Sequence, residues 1–279
     1  MVSTLTPRQR RRLGAGGPGA LLVAPILVLA FLYLPVAVVI VYSLNSKRSF
    51  ASFGELSLRW YGDALGNTAM WASALVSVRI ALIAVVGAVV LGTALAFALD
   101  RLGRRTQTPA MLLVTLVLVT PEVSFGFSLL LLFTSVAVPL SLWTVALGHV
   151  TFAISYVVLM VRARLARMER DVEEAARDLG AGPWTTLWLV VLPQLRPTLL
   201  GAALLVFVLS FDDFVTSMFT TGTGTPPLPV YVYGMLKVGV TPEVNAIGTL
   251  FLLISVGLGV LGVLVSRVRT AAGRDEVLI

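Results

Sequence analysis

The stretch Asp171-Val-Glu-Glu-Ala-Ala-Arg-Asp-Leu-Gly180-Ala-Gly-Pro-Trp184-Thr-Thr-Leu-Trp-Leu-Val190-Val-Leu192-Pro193 reads as two short helices joined by a turn. Asp171 is placed to cap the first helix, and Glu174 three residues later completes a capping-box-like pair. Glu173 and Glu174 fall in the first turn, where the helix dipole favours anions. Gly180 is placed to end that helix in the left-handed conformation. Gly182 and Pro183 open the next helix, with proline at its first position. Pro193 and Pro197 are expected to break the chain again. The first helix has only Ala175 and Ala176 as a small face, too little apolar surface to be stable alone. It rests on a partner or lies as an amphipathic helix on a membrane surface.

Long apolar blocks flank this charged stretch. Of 279 residues, 57% are hydrophobic and 13% charged, and the mean hydropathy is +0.94. A soluble domain carries roughly twice that charged fraction. The blocks predict an all-α integral membrane protein with six spanning helices, at about 20–42, 76–99, 110–133, 143–161, 199–219 and 246–266. Each is near the ~20 residues that cross the hydrocarbon layer. The first block follows Arg8, Arg10, Arg11 and Arg12. It is longer than the ~7–15 apolar residues of a signal peptide and has no convincing cleavage site, so it reads as an uncleaved anchor.

Charge sets the orientation. The net charge is +7. The arginines gather at 8–12, 101–105, 162–177, 196 and 267–274, on one side of the spans. The other side holds Lys47, Arg48, Arg59 and Lys237, with Arg79 near the outer end of the second helix. The positive-inside rule then puts both termini and the loop 162–198 in the cytoplasm. The expected organisation is a cytoplasmic arm at 1–19, the first span at 20–42 and an outer loop at 43–70. A five-helix core at 71–266 and a cytoplasmic tail at 267–279 follow. The outer connections carry aromatic residues: Trp60, Tyr61 and Trp71 in the first, and Tyr231 and Tyr233 in a short interfacial helix that follows Pro226, Pro227 and Pro229. Both tyrosines read as headgroup anchors.

Several chemistries are excluded or weak. There is no Cys and one His, His149, so thiolate and His-cluster metal sites are out. No Gly-x-x-x-x-Gly-Lys-Ser/Thr occurs, so the chain has no ATPase site of its own by this motif, and no cofactor is implied. Gly14-Ala-Gly16-Gly-Pro-Gly19 matches a dinucleotide fingerprint by chance, because no strand precedes it. The basic residues follow membrane orientation, not a nucleic-acid face.

Glu174-Ala175-Ala176, three residues, Gly180, nine residues, then Val190-x-Leu192-Pro193 resembles the EAA loop of binding-protein-dependent ABC importer permeases. That family prefers Ile where Val190 stands. The chain is also similar to the spermidine/putrescine-type permeases of that family. The matching stretches are Trp143–Phe152 with His149, Glu173–Gly180, Ser210-Phe-Asp-Asp-Phe-Val215, Leu228-Pro229 and Val238-Gly-Val-Thr-Pro-Glu-Val-Asn245. The resemblance implies a type I importer fold in which Glu174, Ala175, Ala176, Gly180 and Pro193 belong to the surface that docks an ATPase. It further implies two ATPase subunits, a sister permease and an extracytoplasmic binding protein as partners.

Glu122, His149, Asp212 and Asp213 fall inside expected spans. Ionisable groups are costly in lipid and usually face a protein interior or an aqueous path. Helix rise puts Glu122, His149 and Asp212 at a similar depth, ~20 Å from one face. Carboxylates with Phe211 and Phe214 beside them suit an ammonium group. These four residues are therefore candidates for the path of a small cation such as a polyamine. The alternative is that they make interhelical hydrogen bonds. On a continuous helix Asp212 and Asp213 point about 100° apart, so one of them faces the path. Pro121 should kink the third span. A secondary transporter using these groups as a relay has no need of the loop 174–193, and an intramembrane enzyme finds no nucleophile–base spacing. Ferric iron or phosphonate remain possible solutes for the same machine.

Overall fold

The computed structural model describes residues 18–48, 52–168, 171–239 and 241–275. The arm with Arg8, Arg10, Arg11 and Arg12 lies outside them. Among the described residues every extended element is helical, and β pairing is limited to one isolated bridge between Asn45 and Leu56. The helices are α1 (Pro18–Ser43), α2 (Arg59–Gly66), α3 (Thr68–Arg101), α4 (Arg104–Val119), α5 (Glu122–Ser135) and α6 (Leu142–Leu165). They continue with α7 (Asp171–Asp178), α8 (Pro183–Thr186), a π-helical turn (Leu187–Val191), α9 (Leu192–Phe211), α10 (Val215–Thr220), α11 (Leu228–Val238) and α12 (Pro242–Asp275).

Among the described residues, four helical stretches are long and apolar enough to cross a bilayer: Pro25–Ser43, Thr68–Arg101, Leu142–Leu165 and Pro183–Phe211. The pair α4 and α5 makes a fifth if it is counted as one bent span. The sixth expected span, 246–266, lies within α12, whose described apolar part Pro242–Gly257 is shorter.

Two expected spans are not single helices. The third is broken between Val119 and Glu122, and its halves diverge by 104°. Pro121 cannot donate to the helix ladder and pushes Thr120 to an extended ψ of 128°, so the chain turns there instead of bending gently. The fifth starts earlier than expected and stops at Phe211. Neither Pro193 nor Pro197 breaks it. The π turn just upstream closes a wider ring, with Leu192 N–H donating to Leu187 O. That widening accommodates the proline which follows. Asp212, Asp213 and Phe214 then interrupt the helix before α10.

The chain divides into two compact units. In the first, drawn from residues up to Gly66 with Val240–Leu252, α1 shows apolar side chains on nearly every face, including Phe31 and Tyr33. The polar segment after it is organised by Asn45. Its side-chain oxygen accepts from the N–H groups of Lys47 (3.1 Å) and Gly54 (2.8 Å), and its carbonyl accepts from Trp60 Nε1 at 2.7 Å. Trp60 is thus a buried anchor of the loop.

The second unit comprises Asn67–Gly239 with Leu253–Ile279. Its centre is the pairing of α3 with α6. Ala84, Ala88, Gly92 and Ala96 recur every fourth residue and form one small-residue ridge on α3, with the three alanines fully buried. Val150, Ala153, Val157 and Val161 of α6 pack in the same core as α3. A Cβ on Gly92 would stand 2.7 Å from Val157 Cβ, so only glycine allows this approach. Lipid tails are as apolar as these side chains, so the pair is held by close packing and not by removal from water. Leu195, Ala202 and Val206 of α9 complete the core.

Candidate functional site

The loop singled out by sequence forms a self-terminating helix. Ala181 N–H donates to Ala176 O (3.0 Å) and Gly180 N–H to Arg177 O (2.8 Å), the paired bonds of a Schellman end. Gly180 has the required positive φ of 86°. Asp171 is the first residue of α7 and not its cap, so with Glu173 and Glu174 it acts through the helix dipole. Pro183 occupies the first turn of α8 after Gly182, and Pro193 lies in the first turn of α9. Glu174, Ala175 and Gly180 are exposed and Ala176 is half-buried. No residue of α7 is buried. Leu179 is 90% exposed and Trp184 73%, which leaves bare apolar surface beside the acidic turn.

The four intramembrane candidates meet at the two helix breaks. Glu122 opens α5, and Asp212 caps the end of α9. Both line a cavity of about 370 Å³ together with Asp213, Phe125, Phe214 and Tyr156. His149 of α6 stands behind this cavity and is 1% exposed. Its Nδ1 lies 2.6 Å from Ser210 Oγ, and its Nε2 lies 2.9 Å from Asp213 Oδ2. Asp213 also accepts from the backbone N–H of Ser217 at 2.9 Å and of Thr216 at 3.4 Å.

Asp213 therefore caps α10 from outside its first turn. Its carboxylate offers the backbone an alternative to continued helix, which is why α9 does not run on to residue 219. The expectation that the two aspartates point 100° apart on one helix is corrected accordingly, since the helix has already ended at Phe211. Asp212 is exposed and faces the cavity, whereas the Asp213 side chain is 10% exposed and engaged by α6 and α10. Sequence reasoning grouped the residues at one depth but missed Ser210 and Ser217. The hydroxyl run of Thr216, Ser217 and Thr220 after an acidic pair was the available signal.

Helix α11 forms as expected after the prolines, and both of its tyrosines contact other side chains. Tyr231 OH bonds to the Asn67 side chain (3.1 Å), and the Tyr233 ring lies 4.7 Å from that of Phe214.

Residues 88–272 match the family described as binding-protein-dependent transport system inner membrane component. The chain belongs to that family. This permease is a multi-pass protein of the bacterial inner membrane and a component of an ABC importer. It is 39% identical to the putrescine transport system permease protein PotI of Escherichia coli K12 over 229 residues, which is 80% of this chain and 82% of that one. It is 33% identical to the spermidine/putrescine transport system permease protein PotC of the same strain, over 90% of this chain and 95% of that one. Both relatives are permease proteins by name. A bacterial ABC transporter involved in alginate import shares the fold, with a TM-score of 0.66 and 17% identity over 94% of this chain and 98% of that one. The MetNI methionine transporter gives a TM-score of 0.60 at 18% identity, covering 71% of this chain and 95% of its own.

Proposed function

We propose that this permease pairs with a sister permease to form the membrane path of a polyamine importer, with putrescine or spermidine as the solute. Two ATPase subunits supply the energy and an extracytoplasmic binding protein delivers the cargo. The chain crosses the membrane six times with both termini in the cytoplasm. In this arrangement α7 docks an ATPase through Glu174, Ala175, Ala176 and Gly180, and α9, with Pro193 in its first turn, carries the movement into the membrane.

The observation that carries the substrate reading is the cavity at the two helix breaks. Glu122 and Asp212 present two carboxylates to it, and Phe125, Phe214 and Tyr156 present aromatic side chains. Carboxylates balance the ammonium groups of a polyamine, and aromatic faces attract the same cations. The names of the two relatives above support the same solute. The four candidates divide into two tasks. Glu122 and Asp212 meet the cargo, while His149 and Asp213 hold the break open.

The test is uptake of labelled putrescine by proteoliposomes containing the whole complex, with Asp212→Asn compared against the unaltered chain. The reading expects uptake to fall at least several-fold while the complex assembles and its binding-protein-stimulated ATPase persists. Equal uptake by the two complexes contradicts the assignment of Asp212.

A further inference from the structure

We propose that the end of the bundle where α3, α4 and α6 meet holds the headgroup of an anionic membrane phospholipid, with Arg162 as its half-buried contact and Arg105 as its exposed one. The inference does not depend on which solute the permease carries.

Arg162 lies on α6, one helical turn beyond Val158. Val158 is buried with Leu99 of α3 and Val114 of α4, and Ala110 and Met111 of α4 pack beside them. Gln107 Nε2 donates to Leu99 O at 3.1 Å, which ties the start of α4 to the end of α3. The end of α6 is there too, because Leu165 and Met168 share a cavity with Asp100 and Arg101. Arg162, between Val158 and Leu165, therefore stands level with the start of α4, on the flank of the contact between α4 and α6. The residue is half-buried, and its Nε is buried with no hydrogen-bond partner among the described residues. Among them Arg162 also makes no ion pair. Asp100, the acid at this end of α3, lines the cavity toward Glu173 and Arg177 of α7. The first turn of α4 holds no acidic residue, and no side chain caps it.

A guanidinium keeps its charge in proteins. Buried without a partner it is costly, so the site calls for an anion that the chain does not supply. The planar fork of the guanidinium matches a phosphate group, and the uncapped start of α4 adds to the attraction. The surroundings identify where the phosphate comes from. Arg105, Leu112 and Leu116 share one face of α4, and all three are exposed. A phospholipid lying along that face sets its chains on the leucines and its headgroup between the arginines, as in basic pockets between membrane helices. A free phosphate ion gains nothing from the leucines. The bound lipid joins α6 to α4, and so braces one arm of the bent pair at whose corner Glu122 sits.

The experiment places the whole complex in nanodiscs of phosphatidylcholine, alone or mixed equally with phosphatidylglycerol, and reads retained lipid by native mass spectrometry and Tm by a thermal scan. Arg162→Met is expected to weaken phosphatidylglycerol retention about fivefold, the scale of one basic side chain at a membrane surface. Arg162→Lys should keep most of it, since an ammonium also binds phosphate. Arg167→Met, at an exposed arginine beyond the end of α6, is the control and should retain lipid like the unaltered complex. The thermal order should reverse with the lipid. In phosphatidylcholine alone the Arg162→Met complex is expected to melt no lower than the unaltered one, because the charge it removes has no partner there. With phosphatidylglycerol the unaltered complex should gain several degrees that Arg162→Met does not. Equal retention, or an equal gain in Tm, by the unaltered and Arg162→Met complexes overturns the site. A gain in Tm from inorganic phosphate in phosphatidylcholine makes it a free-anion site and overturns the lipid assignment. An Arg162→Met complex that sheds its sister permease or ATPase in phosphatidylcholine assigns the guanidinium to those subunits and overturns it as well.

Discussion

His149 Nε2 stands 2.9 Å from Asp213 Oδ2, joining α6 to the point where the helix α9 gives way to α10. The same carboxylate holds the N–H of Ser217, and the other ring nitrogen of His149 contacts Ser210. One buried imidazole therefore ties the last turn of α9, the break and the first turn of α10 to a single neighbour. In a membrane, backbone outside a helix is tolerated where it is buried in protein or lines a cavity, and here it does both.

Removing either end of this tie should cost stability before it costs chemistry. Asp213→Ala leaves the Thr216 and Ser217 N–H groups and His149 without their acceptor, a loss of about 2 kcal/mol or more. The expected result is a lowered Tm of the purified complex, by several degrees, with Asp213→Asn intermediate. A Tm equal to that of the unaltered complex contradicts the capping role.

Asp212 should behave in the opposite way. It is exposed to the cavity and caps α9 only through its backbone, whose N–H donates to Val208 O. Asp212→Asn is expected to keep the Tm and lose uptake, and Glu122→Gln to follow the same pattern. A thermal scan beside an uptake assay on the same preparation separates this pair from Asp213 and His149.

Gly180 tests the helix α7. At φ 86° any side chain is strained, and Gly180→Val should cost about 1–2 kcal/mol and unwind the Schellman end. Because α7 buries nothing of its own, the loss should appear in coupling and not in the membrane core. ATPase stimulation by loaded binding protein is expected to fall while the permease pair remains intact on gel filtration.

Gly92 tests the membrane core. Gly92→Leu drives a side chain into Val157 and forces α3 from α6, so the complex should fail to accumulate in membranes. Gly103→Leu, where a Cβ meets nothing within 4 Å, is the matched control and should accumulate normally.

Much of this was legible in the sequence, and the remainder has physical reasons for being hidden. Long apolar blocks announce spans because the bilayer imposes their length, and Gly180 announces a helix end because few residues accept its φ. Pro121 announced a kink, but not how far the chain would turn. That angle depends on α10, which packs against α5 where Gly126 lies close to Phe219 and Thr216. The depth count brought Glu122, His149 and Asp212 to one level, yet it assumed continuous helices and so could not divide the aspartates between cavity and cap. Pro193 and Pro197 looked like breakers because a π turn leaves no distinct mark in composition. The contact between Tyr233 and Phe214 was hidden because the two lie on separate elements far apart in sequence.

We propose that this permease passes polyamines under the drive of ATPase subunits docked at α7. The most direct measurement is accumulation of labelled putrescine in proteoliposomes holding both permeases, with loaded binding protein on one face and ATPase subunits with ATP on the other. The expected result is accumulation that requires the binding protein and ATP hydrolysis and is abolished by disrupting α7 with Glu174→Pro. Accumulation driven by an ion gradient without ATP, or ATP-driven uptake that excludes putrescine and spermidine while moving another solute, would contradict it.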